Sequence, residues 1–209
     1  ACAPFRRLHL CDHNLETIDT TSTTSDTLLA EVCYAAKEEG ASIKGYHGKH
    51  QLTNLGSTIC TVLARSFADI GDIVRGKDPF YGNTQESARR DKLEENLKTI
   101  FKKIHEDVMK TSGSNGQSLQ ERYKGDTTNY YKLREDCWTA NRHTVWKAIT
   151  CSDDLRNSSY FRNTCNDDGT SSRAIHKCRC KDEKGTNSDQ VPTYFDYVPQ
   201  YLRWFDEWA

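Results

Sequence analysis

Two stretches of this chain carry residue types that could do chemistry, and each fails on its spacing or its neighbours. Gly71–Asp78 reads GDIVRGKD, which satisfies G-x-x-x-x-G-K but puts Asp78 where a phosphate loop needs a hydroxyl on magnesium. An acid there repels phosphate, and the residues before it have helical rather than strand periodicity, so no nucleotide site is expected. His176-x-Cys178-x-Cys180, with Cys165 upstream, supplies the ligand types of a zinc site. Cys-x-Cys is poor chelating geometry beside Cys-x-x-Cys, and no second ligand pair accompanies it, so disulfides to separate partners are the better expectation. Seven histidines and nine cysteines allow many further Cys/His pairings, but none falls in a G-x-S-x-G or H-E-x-x-H frame. His105 reads as a helix-surface residue and His143 as a half-buried polar one. No enzyme, metal site or cofactor is expected.

Charge offers more. At about 100° per residue, Lys92, Lys103 and Lys110 fall within about 20° of one another on one helix. Arg89, Lys98 and Lys102 add cations to the same helix. Such a row could track an anionic polysaccharide, because each sulfate-like contact releases counterions. The plainer alternative is a solvated face, since Glu95, Glu106 and Asp107 interleave and blunt the field. A second basic cluster, Arg173, His176, Lys177, Arg179, Lys181 and Lys184, lies among the late cysteines, with solvation again the plainer reading. Asn157-Ser158-Ser159 is a glycosylation sequon and implies an exposed loop.

The elements that must position these residues are helical. Asp26–Lys37 has helical periodicity with Asp26 as its N-cap, and Gly40, Gly45 and Gly48 then mark a connector. Residues 52–75 carry Leu52, Leu55, Ile59, Val62, Leu63, Ile70 and Val74 at mostly helical spacing, and Gly76–Gly82, with Pro79, end that helix. Over 86–110, Leu93, Leu97, Ile100, Ile104 and Val108 form one apolar stripe. Thr111–Ser118 (TSGSNGQS) reads as a flexible loop. A long helix is expected near 119–149, with Leu133, Cys137, Ala140, Thr144 and Ala148 on one face and Trp138, Val145 and Ile149 beside them. Residues 151–193 lose periodicity and gather cysteines, while Tyr194–Trp208 restarts helically after Pro199. With little strand signal, the expected class is all-α.

Composition limits the function. The chain has 209 residues, 35% hydrophobic, with Lys+Arg 29 against Asp+Glu 30 and a net charge of −1. Nothing approaches the roughly 20-residue apolar run of a membrane helix, so no membrane insertion is expected. Near-neutral charge argues against a nucleic-acid partner. Four Trp, ten Tyr and seven Phe supply enough aromatic area to order a core. Nine cysteines among polar loops point to an oxidising compartment, and the odd number leaves at least one thiol free or paired outside the chain. Ala1–Leu10 has no apolar signal region, so a secreted disulfide protein of this kind is expected to be a piece of a longer chain.

Four separated blocks carry a family resemblance: CAPFRRLHLCDHNLE (Cys2–Glu16), ARSFADIGDIVRGKD (Ala64–Asp78), LREDCWTANRHTVWKAITC (Leu133–Cys151) and DYVPQYLRWFDEWA (Asp196–Ala209). Together they resemble, in order and across the whole chain, the alpha-class Duffy-binding-like (DBL) domain of the malaria parasite's variant erythrocyte membrane proteins. The resemblance implies a disulfide-stabilised helical bundle with long loops. Its first, loop-rich subdomain would span 1–51 and its second, a helical bundle with a cysteine-rich loop, 52–209, where a third subdomain begins.

It also implies a cell-adhesion module on the extracellular face of the infected red cell, non-enzymatic and without a cofactor. Such modules bind host receptors in rosetting and cytoadherence: sulfated glycans such as heparan sulfate, blood-group sugars or complement receptor. Neighbouring domains of the same adhesin and host antibodies are further implied partners. A structural, antigenically variable scaffold, with binding carried by neighbouring domains, is the alternative. The polar loops 17–25, 111–118 and 181–190 motivate it.

The family's second-subdomain bridge would fall on Cys60 and Cys151, while Cys2 and Cys11 would have their partners upstream. Cys137 departs from the family pattern, which has Trp there. It reads as a buried free thiol that acts as a small hydrophobe, leaving a void unless neighbours fill it.

Overall fold

A computed structural model describes residues 2–11, 14–50, 58–80, 82–165, 172–181 and 188–208. Its helices are α1 (Phe5–Leu8), α2 (Ser25–His50), α3 (Ile59–Arg75), α4 (Thr84–Lys110), α5 (Ser114–Tyr123), α6 (Tyr131–Ile149) and α7 (Gln200–Trp208). Two short antiparallel strands, β1 (Asn163–Cys165) and β2 (Ser172–Arg173), interrupt the otherwise all-α architecture.

Local chemistry sets the ends. The Asn83 side chain accepts from the Glu86 amide at 2.9 Å and caps α4. Thr24, rather than Asp26, caps α2, its Oγ1 accepting from the Thr27 amide. Gly76, at φ +69°, closes α3 with a left-handed residue beneath the Arg134 guanidinium. Asp126 accepts from the Leu133 amide at the start of α6. The expected 119–149 helix is thus two helices, and Ser114 already lies inside α5, so the predicted flexible loop ends earlier than its composition suggested. The first residues of the helix expected over 52–75 lie outside the described residues.

The core forms where α2, α3 and α6 pack together. Leu63, Ala64, Phe67 and Ala68 of α3 are wholly buried, and Trp138 and Trp146 of α6 close on Phe67 at 5.1 and 5.2 Å between ring centroids. On α6 the buried stripe is Trp138, Val145, Trp146 and Ile149; Ala140 is exposed and Cys137 half-buried, packed against the edge of the core. Burial pushes the Cys137 thiol pKa up. On α4, Leu93, Leu97 and Ile100 of the expected stripe are buried, and Phe101 and His105 extend it. His105 is not a surface residue: it packs on Tyr130 and its Nε2 lies 3.1 Å from the Tyr123 carbonyl, because α5 folds back over α4.

Gly40 is no connector either. Helix α2 runs through it to His50, and a Cβ at Gly40 would sit 2.2 Å from the Ile149 carbonyl oxygen of α6. Helix propensity alone would favour Gly40→Ala by up to about 1 kcal/mol. The backbone clash overrides that gain, and a net destabilisation of about 1–3 kcal/mol is expected. Urea denaturation of the variant checks this; an unchanged or raised midpoint would refute the close approach.

Beyond α6 the chain returns along itself and is pinned twice. Cys60 is bonded to Cys178, and Cys165 to Cys180. The expected Cys60–Cys151 bridge is therefore corrected. Cys151, just past the end of α6, is an exposed thiol, whereas Cys60 is buried in the first turn of α3. The returning segment reaches Cys60 instead: His176, Lys177 and Cys178 all take left-handed backbone angles near +55°, and Trp146 Nε1 donates to the Cys178 carbonyl at 3.1 Å.

Candidate adhesion surface

Some of the charge of this near-neutral chain is buried within it. Buried Asp69 of α3 accepts from Arg6 at 2.7 Å and Arg203 at 2.6 Å; Asp72 accepts from Arg203 at 2.6 Å and Arg75 at 2.8 Å. Burial alone would raise the Asp69 pKa, but Arg6 and Arg203 hold it below the usual carboxylate range. Arg6 also bonds Glu207, and Trp208 Nε1 donates to the Cys2 carbonyl, so α1 and α7 are clamped side by side on α3. Asp196 binds Arg142 at 2.7 Å and Trp138 Nε1 at 2.9 Å.

The Gly71–Asp78 run belongs to this framework. Gly71 and Arg75 are in α3, Lys77 pairs with Glu135, and Asp78 is gripped by Arg7 and Arg90. Nothing there resembles a phosphate cradle. Cys165, Cys178 and Cys180 are consumed in disulfides, and among the described residues no cluster of three metal-ligating side chains occurs. No described helix is long and apolar enough to cross a membrane.

The α4 row is only partly available. The Lys103 ammonium is held by the backbone carbonyls of Thr20 and Thr21. Lys92 lies 3.7 Å from Glu95, Lys98 3.8 Å from Glu94 and Lys110 3.7 Å from Asp107. Lys102 is exposed, and Arg89 stands at the edge of a cavity of about 640 Å³ that it lines with Arg7 and Arg90. There burial and the Arg7 charge push the Arg90 pKa down to about 10.

The second basic cluster divides as well. Lys177 pairs with Asp153 at 2.7 Å, and Arg179 turns inward to Thr150 Oγ1 and the Lys147 carbonyl. Arg173 and His176 are exposed, and Lys184 lies outside the described residues. Arg156 and Arg162, absent from the sequence-based cluster, join them because residues 155–163 pair with 173–178: Tyr160 donates to Ala174, and Lys177 to Leu155, both at 2.9 Å. No run or period marks this pairing, so the sequence carries no signal for it. A third exposed surface is aromatic, with Tyr201, Phe205 and Trp208 on the outer side of α7.

The result is a mainly helical module, clamped by buried ion pairs and pinned by disulfides, that presents cations and aromatic rings outward. The Duffy binding domain model matches residues 1–203, and the chain belongs to that family. Two solved structures from the Plasmodium falciparum varO strain resemble it across its full length. One is the NTS-DBL1 alpha-1 domain of PfEMP1, with 44% identity and a TM-score of 0.75 over 43% of that chain. The other is the PfEMP1 double domain of NTS-DBL1-alpha and CIDR-gamma, with 42% identity and a TM-score of 0.74 over 27% of that chain. A DBLb domain of a PfEMP1 bound to human ICAM-1 matches 97% of this chain and 38% of its own, at 29% identity and a TM-score of 0.63.

This chain is thus an alpha-type DBL segment of the PfEMP1 kind, spanning less than half the length of the relatives it matches. No curated protein sequence matches it. Family and fold point to a binding module.

Proposed function

We propose that the chain works as a host-receptor adhesion module within a longer protein on the extracellular face of the infected red cell, and that its receptor class is a sulfated glycan. Membership of a family in which a related domain is held by human ICAM-1 is the observation that carries the adhesion reading. The glycan reading is supported by exposed cations on a rigid helical frame, with Lys92, Lys102, Lys110 and Arg89 of α4 as contacts and Lys98 beside them. In this reading the module acts without catalysis or cofactor, and neighbouring domains and host antibodies are its other partners. Subdomains divided at 51/52 are part of the same proposal. A scaffold role, with binding carried by neighbouring domains, is favoured by one observation: acids or carbonyls occupy most of the α4 row.

Retention of the oxidised chain on immobilised heparin across a salt series, beside a chondroitin control, separates the two. Glycan adhesion predicts selective retention, with log affinity falling linearly in log salt by about 0.7–0.9 per cation contact. Absence of retention at low salt would reject it in favour of the scaffold.

A further inference from the structure

We propose that the disulfide-pinned return of residues 155–163 along 173–178 holds a second anchor for a sulfated polysaccharide, built from Arg156, Arg162 and Arg173. These three contribute more to binding than the α4 row does. The inference rests on the sulfated-glycan reading above and adds to it a site on a different element.

The argument begins with compensation. Lys92, Lys98 and Lys110 of α4 each have a carboxylate within 4 Å and Lys103 has two carbonyls, which leaves Lys102 and Arg89 as the cations of that row outside any ion pair among the described residues. A polyanion must compete with those partners, so its net gain at each is small. Arg156, Arg162 and Arg173 are exposed and none is in an ion pair within 4 Å among the described residues, Arg156 acting on Asp153 only at longer range. The acids nearest in sequence to Arg156 are already spent: Asp153 on Lys177, and Asp154 on Lys44 of α2. Asp167 and Asp168, between the strands, lie outside the described residues.

The second consideration is order. Asn163 stands opposite Arg173 in the ribbon, the Arg156 carbonyl is 3.1 Å from His176 Nδ1, and Cys178 donates to the Ser158 carbonyl at 3.1 Å. Cys165–Cys180 closes this segment on itself and Cys60–Cys178 fixes it to α3. The backbone carrying the arginines is therefore arranged before a ligand arrives, and little ordering entropy opposes binding. Chemistry is the third. The guanidinium fork matches the oxygens of a sulfate or carboxylate as an ammonium does not. Arg162 also lies over the half-exposed Phe161 ring, 5.0 Å from its centroid, which supports its plane.

The test uses the full oxidised chain, expressed where Asn157 is not glycosylated, on a heparin column with a salt series. R156Q/R162Q/R173Q should lower the slope of log affinity against log salt by about 2.1–2.7, at roughly 0.7–0.9 per lost contact. R156K/R162K/R173K keeps the charge and folds under the same demands. It should keep the slope and lose only a few-fold in affinity. K92Q/K102Q/K110Q should change the slope by less than about 1. Wild-type retention with an unaffected glutamine triple, or a larger loss in the α4 triple, would overturn the site while leaving the glycan reading intact. No wild-type retention would overturn both.

Discussion

Asp69→Ala should lower the stability of this chain by about 3–5 kcal/mol, the range for removing one partner of a buried ion network. Asp69 has no exposed surface and neutralises two guanidiniums, Arg6 and Arg203, whose side chains are 10% and 2% exposed. Without it, Arg203 keeps Asp72, but Arg6 is left with Glu207 and Ser66 alone and a buried cavity opens beside them. The loss has a direction in space, since Arg6 carries α1 and Arg203 carries α7. Protease sensitivity should therefore appear first at residues 2–11 and 200–208.

The loss also has a signature in pH. The folded Asp69 pKa lies below its unfolded value, so its contribution is complete above about pH 4 and disappears as pH falls through the folded value. Wild-type stability should fall on acidification below about pH 4, and Asp69→Ala should lack that component. Denaturant melts of both proteins between pH 2 and pH 7 check the pair of expectations, each value being about what the carboxylate range requires. A loss under about 1 kcal/mol at neutral pH would mean that the network is no better than exposed pairs.

Removing the Cys60–Cys178 bridge should cost at least as much. It joins residues 118 apart, and chain entropy assigns about 4–5 kcal/mol to a loop of that size against about 3 for one of 15 residues. Cys60→Ser/Cys178→Ser should accordingly lose more than Cys165→Ser/Cys180→Ser. All four bridged cysteines are fully buried, so in both variants each serine also leaves a hydroxyl that seeks a partner, and loop length alone sets the order. Peptide mapping of the oxidised chain gives an independent readout. A Cys60–Cys151 crosslink, with an unaltered melt in the double-serine variant, would reject the connectivity.

Several elements are legible from residue order alone. The α4 stripe reads directly from Leu93, Leu97 and Ile100, because a helix on a core must place apolar residues every three or four positions. Likewise the end of α3 reads from Gly76, and the restart after Pro199 from proline's own constraints. Gly40 misleads for a tertiary reason: its missing side chain serves the approach of α6, whereas local propensity treats any glycine as a break. His105 misleads similarly, since a polar residue at a helix position is buried only if another helix comes to satisfy it, as α5 does.

The surface follows the same division. Sequence spacing places Lys92, Lys103 and Lys110 along one line of α4, but it is blind to the Thr20 and Thr21 carbonyls that hold Lys103. It places Arg173 and His176 among the late cysteines, yet Arg156 and Arg162 join them only because an antiparallel return brings residues 155–163 beside 173–178. The helical class, the family blocks and the positions of the charged residues are all legible in the sequence. These depend on periodicity, residue type and short spacing, all of which are local. Tertiary structure alone decided which cysteine meets Cys60, which carboxylate neutralises which arginine, and so which cations remain for a partner. Those outcomes depend on contacts between residues tens to over a hundred positions apart, and no local preference encodes where a chain folds back on itself.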